Sequence, residues 1–294
     1  MSAQIIDGKA IANQIKSEVK VAAQQLKRER GIVPGLAFVL VGEDPGSQVY
    51  VRSKGKACDE MGFYSVTEKR PDSISQQELL DLVNQFNKDP KVHGVLVQLP
   101  LPRHIDEATI IEAIDYRKDV DGFHPVNVGR LVLGIDCLKP CTPAGVQELL
   151  LRSGNDPSGK HVVVVGRSNI VGKPVMNILL QKQRGANAVV TIAHTGASDI
   201  SHFTKQADIL IAAIGKGEMI TGGMLKPGCV VIDVGINRIA DPSAKNGSRL
   251  VGDVHFPSAS AVAKAISPVP GGVGPMTIAM LMKNTLLAAA ASRS

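Results

Sequence analysis

The chain contains few aromatic residues: no Trp, three Tyr and six Phe among 294 residues. Its core must therefore be built from Val, Ile, Leu and Ala, since hydrophobic residues still make up 44% of the chain. The four cysteines form no Cys-x-x-Cys pair, and no group of histidines accompanies Cys137 and Cys141. We therefore expect no zinc site and no other metal site.

Long apolar runs are also missing. No uncharged apolar stretch reaches the roughly 20 residues that cross a bilayer, and the first residues lack the charged start of a signal peptide. We therefore expect a cytoplasmic protein without a membrane partner. The formal net charge is +6, but basic residues are interleaved with acidic ones and no long basic run occurs. This pattern argues against nucleic acid and fits a small anionic ligand.

Six short apolar segments alternate with amphipathic helical patterns, and each is typical of a buried parallel strand. They are residues 35–41, 94–99, 161–165, 189–193, 209–214 and 230–234. The alternation predicts an α/β protein. Two prolines interrupt it near residues 138–143, which predicts a first domain of residues 1–140 and a second of residues 141–274. A final helix, 275–294, is expected to complete the first domain, so that two α/β lobes flank a cleft.

The second domain opens with a strand, a turn and a helix over residues 162–174. The usual Gly-x-Gly-x-x-Gly pattern of a Rossmann dinucleotide site is incomplete, because only Gly166 and Gly172 remain. Even so, Gly166 ends the strand, and Gly172 begins a helix whose amides could face a phosphate. Arg167 and Ser168 add a guanidinium and a hydroxyl to the turn. A plain strand–glycine turn without a cofactor is the alternative.

The end of the next strand, Ala193-His194-Thr195-Gly196, bears on the choice between NAD and NADP. NAD enzymes usually place an acid there to bind the ribose 2′-hydroxyl, and this chain has none. A 2′-phosphate is therefore tolerated, and Arg167 is the nearest candidate to pair with it. The role of His194 is open. Glycines also follow two later strands, at Gly215 and Gly235, and strengthen the case for a Rossmann-like dinucleotide-binding domain.

A lysine stands out in the first domain. The helical pattern from Ser47, a possible cap, places Lys54 on the apolar face beside Tyr50, whereas Lys56 falls on the polar face. Lys54 either extends its amine along the surface to water or is a partly desolvated amine that exchanges protons near neutral pH. Gln98 ends a buried strand, and Asp121 lies in a loop with a second acid; both are possible companions. Either aspartate could instead only cap a turn.

A stiff loop near the chain end combines proline with glycine, over Pro268-Val269-Pro270-Gly271-Gly272-Val273-Gly274-Pro275. Proline fixes the backbone, and glycine lets it approach a ligand closely. The loop precedes an apolar helical tail, so we interpret it as a ligand-contacting segment rather than a connector.

Taken together, these motifs resemble the bifunctional methylenetetrahydrofolate dehydrogenase/methenyltetrahydrofolate cyclohydrolase family over nearly the whole chain. The resemblance rests on six motifs in this order: Tyr50-Val51-x-x-Lys54-x-Lys56, the Gln98-containing VQLPLP, Asp119-Val120-Asp121-Gly122, Gly166-Arg167-Ser168-x-Ile170-Val171-Gly172-x-Pro174, Asp233-Val234-Gly235-Ile236-Asn237 and Pro268-x-Pro270-Gly271-Gly272-Val273-Gly274-Pro275-Met276-Thr277.

The resemblance implies NADP-dependent oxidation of 5,10-methylenetetrahydrofolate to the methenyl compound, followed by hydrolysis to 10-formyltetrahydrofolate. Lys54 matches the catalytic lysine, Gln98 the residue that positions it, Tyr50 a stacking partner of the folate, and Asp121 an acceptor for the pterin. Further substrate contacts are implied at Val97, Leu99, Pro270, Gly271, Gly272, Val273 and Gly274. Cofactor contacts are expected at Gly166, Arg167, Ser168, Gly172, Thr195, Gly215 and Ile236. A homodimer is implied as well.

One position departs from the family pattern. Many relatives carry Arg or Lys shortly after the His194 position, where this chain has Thr195-Gly196-Ala197-Ser198. NADP is still favoured over NAD because Arg167 is present. Two other functions compete with the folate enzyme: a dehydrogenase of shikimate-like hydroxy acids, and a nucleotide-sensing regulator without catalysis. Neither explains the combination of Tyr50, Lys54 and Gln98.

Overall fold

The computed structural model describes residues 3–243 and 247–292. Its strands are β1 (Gln4–Ile5), β2 (Gly35–Val41), β3 (Tyr64–Arg70), β4 (Gly94–Val97), β5 (His161–Val165), β6 (Val189–Ala193), β7 (Ile209–Ala212), β8 (Val230–Asp233), β9 (Asn237–Ala240), β10 (Ser248–Val251) and β11 (Ala265–Ile266). Its α-helices are α1 (Gly8–Arg30), α2 (Pro45–Met61), α3 (Gln76–Lys88), α4 (Glu107–Ala113), α5 (Pro125–Val132), α6 (Cys141–Arg152), α7 (Gly172–Leu179), α8 (Ile200–Thr204), α9 (Phe256–Ser260) and α10 (Val273–Ala291).

The chain divides into two compact units. One contains the chain up to Ala12 together with Thr142–Thr277, and the other contains Asn13–Cys141 together with the segment from Ile278 on. This division differs from the predicted boundaries at the N-terminus, because β1 pairs in parallel with β11 and so joins the sheet of the later unit. A strand of two residues is too short to leave a recognisable hydrophobic pattern.

We call the unit that contains Thr142–Thr277 the dinucleotide unit. Its six-stranded sheet is parallel throughout and has the order β1-β11-β8-β7-β5-β6. Strand β5, which lies between β7 and the edge strand β6, is buried from Val162 to Val165, as its run of four valines predicts. The predicted strands 161–165 and 189–193 are confirmed with the same bounds. Strand β7 ends two residues earlier than predicted, and β8 ends one residue earlier. The α/β class is confirmed.

We call the other unit the lysine unit, after Lys54. Its sheet has three parallel strands in the order β3-β2-β4. Every residue of β2 is buried, and the apolar face of α3 packs with one side of the sheet. The edge strand β3 was not predicted, because its sequence YSVTEKR is polar at most positions and partly exposed. Polar composition of this kind is common at a sheet edge.

The last helix, α10, is by length and composition apolar enough to cross a membrane, but half of that stretch is buried inside the protein. It also contains two buried polar residues, Asn284 and Thr285. Thr285 donates to the carbonyl of Leu281 at 2.8 Å. We therefore interpret α10 as a core helix.

Candidate active site

Helix α2 carries the site lysine on a buried stripe. Asp44, and not Ser47, caps the helix: its carboxylate accepts from the Ser47 amide at 2.7 Å, and Pro45 follows at the first helical position. The expected Ser47 cap is wrong because the cap and the helix start lie three residues earlier, at Asp44 and Pro45. Lys54 is only 7% exposed, and it lies in a stripe with Val51. The apolar-face prediction for Lys54 is confirmed.

Gln98 accepts a hydrogen bond from the buried amine. Lys54 Nζ donates to Gln98 Oε1 at 3.0 Å. The other end of this amide is held too, because Gln98 Nε2 donates to the carbonyl of Leu99 at 2.7 Å and its backbone amide donates to Val39 at 2.9 Å. Since the Nε2 group is engaged as a donor, Oε1 must point at the lysine. The amine is therefore held away from bulk water in one defined position.

The two acids of the following loop have different roles. Asp119 is 2% exposed and caps the turn: its carboxylate accepts from the amides of Gly122, Phe123 and His124 at 2.9 to 3.2 Å. Asp121, by contrast, accepts no hydrogen bond among the residues that the structure describes. Burial raises the pKa of the Asp121 carboxyl, and the nearby Lys54 charge partly offsets this. Asp121 therefore keeps its acceptor atoms for a ligand.

Two residues near this cluster were not singled out from the sequence. Asn284 of α10 donates through Nδ2 to the carbonyls of Val120 and Lys139, both at 2.8 Å. These bonds connect the Asp121 loop, through Val120, to the segment that precedes α6. The Cys141 thiol donates to Val120 at 3.2 Å, and burial raises the pKa of this thiol well above its usual range. The only sequence signal was a lone Asn inside an apolar helix, which is typical of a buried polar contact.

The remaining substrate candidates of the lysine unit vary in exposure. Val97 is 7% exposed and ends β4, while Leu99 is half-buried. Tyr50 is 45% exposed, although the helical pattern placed it with the buried stripe. The ring lies one turn before Lys54 on α2, where it can contact a ligand without first leaving a packed core.

In the dinucleotide unit, the turn after β5 is closed by a side chain. Ser168 Oγ accepts from the amides of Val171 and Gly172, at 3.1 and 3.3 Å. The hydroxyl therefore already binds the amides of Val171 and Gly172, and the expectation that N-terminal amides of α7 face a phosphate stays a prediction. The turn is also tight, since a Cβ at Gly172 would overlap the Gly166 carbonyl. The Ser168 proton remains available as a donor.

Two donors meet at the ends of β5 and β6. Arg167 Nη1 lies 3.4 Å from His194 Nε2, while His194 Nδ1 accepts from the Gly196 amide at 3.0 Å. Because Nδ1 is the acceptor, the proton of the neutral ring is on Nε2. Two N–H groups therefore lie side by side, which suits an anion that accepts from both. Thr195 is exposed next to them.

The loops after β7 and β8 expose Gly215 and Ile236, the latter at 51%. Ile236 also lines a cavity of about 160 Å³ in the dinucleotide unit. The structure therefore brings the Asp233–Ile236 motif and the Pro/Gly loop together, which the sequence order alone did not reveal. The cavity is lined by Asp233, Val234, Gly235, Ile236, Leu250, Pro268, Val269, Pro270, Gly271, Gly272, Val273, Gly274 and Pro275.

No group of three or more His, Cys, Asp or Glu side chains suited to a metal ion occurs within residues 3–243 and 247–292. The lysine unit offers a buried amine and a carboxylate, and the dinucleotide unit offers glycine-containing loops at the carboxyl ends of parallel strands, where dinucleotides bind. These features define a dehydrogenase with a separate acid–base centre.

Comparison with known proteins identifies the family to which this chain belongs. Residues 6–121 match the catalytic domain of tetrahydrofolate dehydrogenase/cyclohydrolase, and residues 140–293 match its NAD(P)-binding domain. The chain belongs to the tetrahydrofolate dehydrogenase/cyclohydrolase family, and it is an enzyme of folate one-carbon metabolism. The regulator and the shikimate-type dehydrogenase are thereby set aside.

The relatives match nearly end to end. The bifunctional protein FolD of Moorella thermoacetica is 60% identical over 98% of this chain and 99% of its own length. The crystal structure of the bifunctional FolD enzyme from Campylobacter jejuni is 48% identical, covers 98% of this chain and 99% of its own, and has a TM-score of 0.92. The Trypanosoma brucei FolD structure, complexed with NADP and an inhibitor, is 40% identical over 99% and 98%, also with a TM-score of 0.92.

Proposed function

We propose that this chain oxidises 5,10-methylenetetrahydrofolate with NADP and hydrolyses the resulting 5,10-methenyl compound to 10-formyltetrahydrofolate. The observation that carries the proposal is the buried amine of Lys54, held by Gln98 at 3.0 Å and close enough to Asp121 to affect its pKa. Membership of the family supplies the substrate class, and the geometry supports the role of each residue.

Lys54 is the proposed proton carrier of the hydrolytic step. Water addition to the methenyl cation releases a proton. Cleavage of the bond from that carbon to N5 then protonates the nitrogen, while the hydroxyl loses its proton as the formyl C=O forms, so that one proton is released overall. An amine that Gln98 holds in one position can accept the first proton and supply the second. Asp121 keeps its carboxylate oxygens for donors of the pterin ring, and Tyr50 offers its exposed face for stacking.

The dinucleotide unit fits NADP. When bound, NADP accepts the hydride from the bridging methylene carbon of the folate. The turn between Gly166 and Gly172 is tight, because a Cβ at either glycine would overlap a backbone carbonyl of the protein, and the Ser168 hydroxyl retains a proton to donate. Arg167 and His194 present two adjacent donors, and no acid stands at the end of β6. We therefore assign the 2′-phosphate to this pair, with Thr195, Gly215 and Ile236 as further contacts.

Several finer assignments stay predictions. The substrate contacts at Val97, Leu99 and the backbone of 270–274 are supported only by the family motifs. We further propose a cytoplasmic homodimer that forms through the dinucleotide unit. In its favour, the outer edge of β6 has no strand partner within the described residues, and Val189 on this strand is 66% exposed.

A spectrophotometric assay tests the proposal. The protein is mixed with 5,10-methylenetetrahydrofolate and either NADP or NAD, and the methenyl absorbance is followed as it rises and then decays by hydrolysis. We expect both phases, with NADP giving the higher kcat/KM. If the folded protein forms no methenyl compound with either nucleotide, the proposed oxidation is contradicted. If the methenyl signal decays at the same rate with and without enzyme, the proposed hydrolysis is contradicted.

A further inference from the structure

Two aspartates are buried beneath the loops of the dinucleotide unit. Asp233 is 3% exposed and Asp253 is fully buried. Neither carboxylate forms an ion pair within residues 3–243 and 247–292. A buried acid without a cation is costly unless hydrogen-bond donors surround it. Their surroundings therefore show what these side chains do.

Asp253 binds the loop that follows β7. Its Oδ2 accepts from the amides of Ile214 at 2.6 Å and Gly215 at 3.0 Å, and its Oδ1 accepts from the amide of Lys216 at 3.0 Å. Three successive backbone amides thus wrap around one carboxylate, as in an anion-binding nest. Oδ1 also accepts from Asn237 Nδ2 at 2.9 Å, which ties in the segment after β8.

Asp233 extends this connection. Its carboxylate accepts from the amides of Gly235, Asp253 and Val254 at 2.9 to 3.1 Å. Its own amide donates to Ser267 Oγ at 2.8 Å. The two carboxylates therefore link the loop after β7 to the loop after β8, and the Asp233 amide adds Ser267, the residue immediately before the Pro/Gly loop.

Two glycines make room for these carboxylates. A Cβ at Gly235 would overlap Asp253 Oδ1, and a Cβ at Gly252 would overlap Asp233 Oδ2. The sequence suggested that Gly235 is small because a cofactor lies against it. The structure gives a different reason, since the space that a side chain would need is occupied by a carboxylate of the same protein.

We infer that Asp253 is a positioning residue for the dinucleotide: it makes no cofactor contact but fixes the loops that carry Gly215 and Ile236. The inference rests on the proposed cofactor contacts of those two residues. Both belong to exposed loops at the carboxyl ends of parallel strands, where dinucleotides bind. Exposed loops of this kind have few packing contacts of their own, so a buried carboxylate decides their conformation.

The test replaces Asp253 by Asn. An amide has a single acceptor oxygen, so two of the four N–H donors lose their acceptor whichever way the group is turned. Hydrogen bonds to charged groups are the stronger ones, and we expect the KM for NADP in Asp253→Asn to rise about 10- to 100-fold. Hydrolysis of the methenyl compound, assayed without any dinucleotide, should stay within about twofold of wild type.

A matched control is Asp208→Asn in the same unit, because Asp208 also binds a backbone amide, that of His161 at 2.9 Å, but lies outside these loops. Its KM for NADP should not change. Asn237→Ala removes one donor to Asp253 and gives a smaller rise, which keeps the inference testable should Asp253→Asn fail to fold.

An unchanged KM in the folded variant, or a parallel loss of both activities, would overturn the positioning role. Absence of dehydrogenase activity in the wild-type protein would instead contradict the proposed function, so the two failures are distinguishable.

Discussion

Replacing Lys54 by Met removes the amine but keeps a side chain of similar length, so the effect of losing the amine can be measured separately from the effect of losing side-chain packing. Methionine is unbranched and of similar length, so it can fill the buried stripe of α2 next to Val51. The lost bond leaves Gln98 Oε1 without its donor, but Gln98 is half-buried and water can replace the amine. We therefore expect a change in the free energy of unfolding of about 1 kcal/mol.

The effect on catalysis should be far larger than the effect on stability. A positioned acid–base group contributes about 10²- to 10⁴-fold to rate, so Lys54→Met should slow hydrolysis of the methenyl compound by that factor. The decay of methenyl absorbance with purified enzyme measures it directly.

Lys56→Met is the matched control, because Lys56 lies on the same helix with its side chain 80% exposed and only a 4.0 Å contact to Glu60. It should hydrolyse the substrate like wild type. Hydrolysis by Lys54→Met within tenfold of wild type, with the fold intact by circular dichroism, would refute proton transfer by this amine.

Three further predictions follow from the dinucleotide unit and the thiols. Arg167→Ala and His194→Asn should each raise the KM for NADP more than that for NAD; the asparagine can still accept from the Gly196 amide, and equal losses for both nucleotides would contradict 2′-phosphate recognition. Burial raises the pKa of Asp233 to about 7 from an ordinary value of 3.8. Because the folded-state pKa is the higher one, the stability that this group contributes is full below about pH 4 and is lost as the pH rises through 7. Urea unfolding should therefore show wild type losing stability relative to Asp233→Asn between about pH 4 and 7, and parallel pH profiles would exclude this assignment. Finally, a thiol reagent at pH 8 should modify the half-buried Cys137 before the buried thiols, whose pKa values burial raises to about 12 at Cys58 and about 11 at Cys229; mass spectrometry of the digested protein would reveal the opposite order.

Much of the fold was predictable because hydrophobic runs are local signals. The four valines of β5 and the apolar β2 identify buried parallel strands without knowledge of their neighbours. The helix face of Lys54 was predictable for the same reason, but periodicity did not decide whether its amine is buried or reaches water, and it wrongly placed Tyr50 with the buried stripe. Edge and very short strands were not, as β3 and the two-residue β1 demonstrate.

Much of the site could not be predicted from the sequence, because it depends on contacts between residues that are distant along the chain. Apart from the family motif, no local pattern distinguishes Asp119 from Asp121, yet one caps its turn through three amides and the other accepts no hydrogen bond within the described residues. The difference depends on how the chain turns at Gly122, which is a backbone property. Asn284, more than 160 residues away from Val120, was equally out of reach of any local pattern.

The two buried aspartates show why a glycine motif is an ambiguous signal. Glycine marks a close approach of the backbone, but the sequence does not say what approaches. At Gly172 the neighbour is the carbonyl of Gly166, and at Gly235 it is the carboxylate of Asp253, 18 residues further on. In both cases the missing side chain serves the internal structure of a loop first. If Asp253 positions the dinucleotide as proposed, the affinity of the site depends on a buried acid that does not touch the nucleotide.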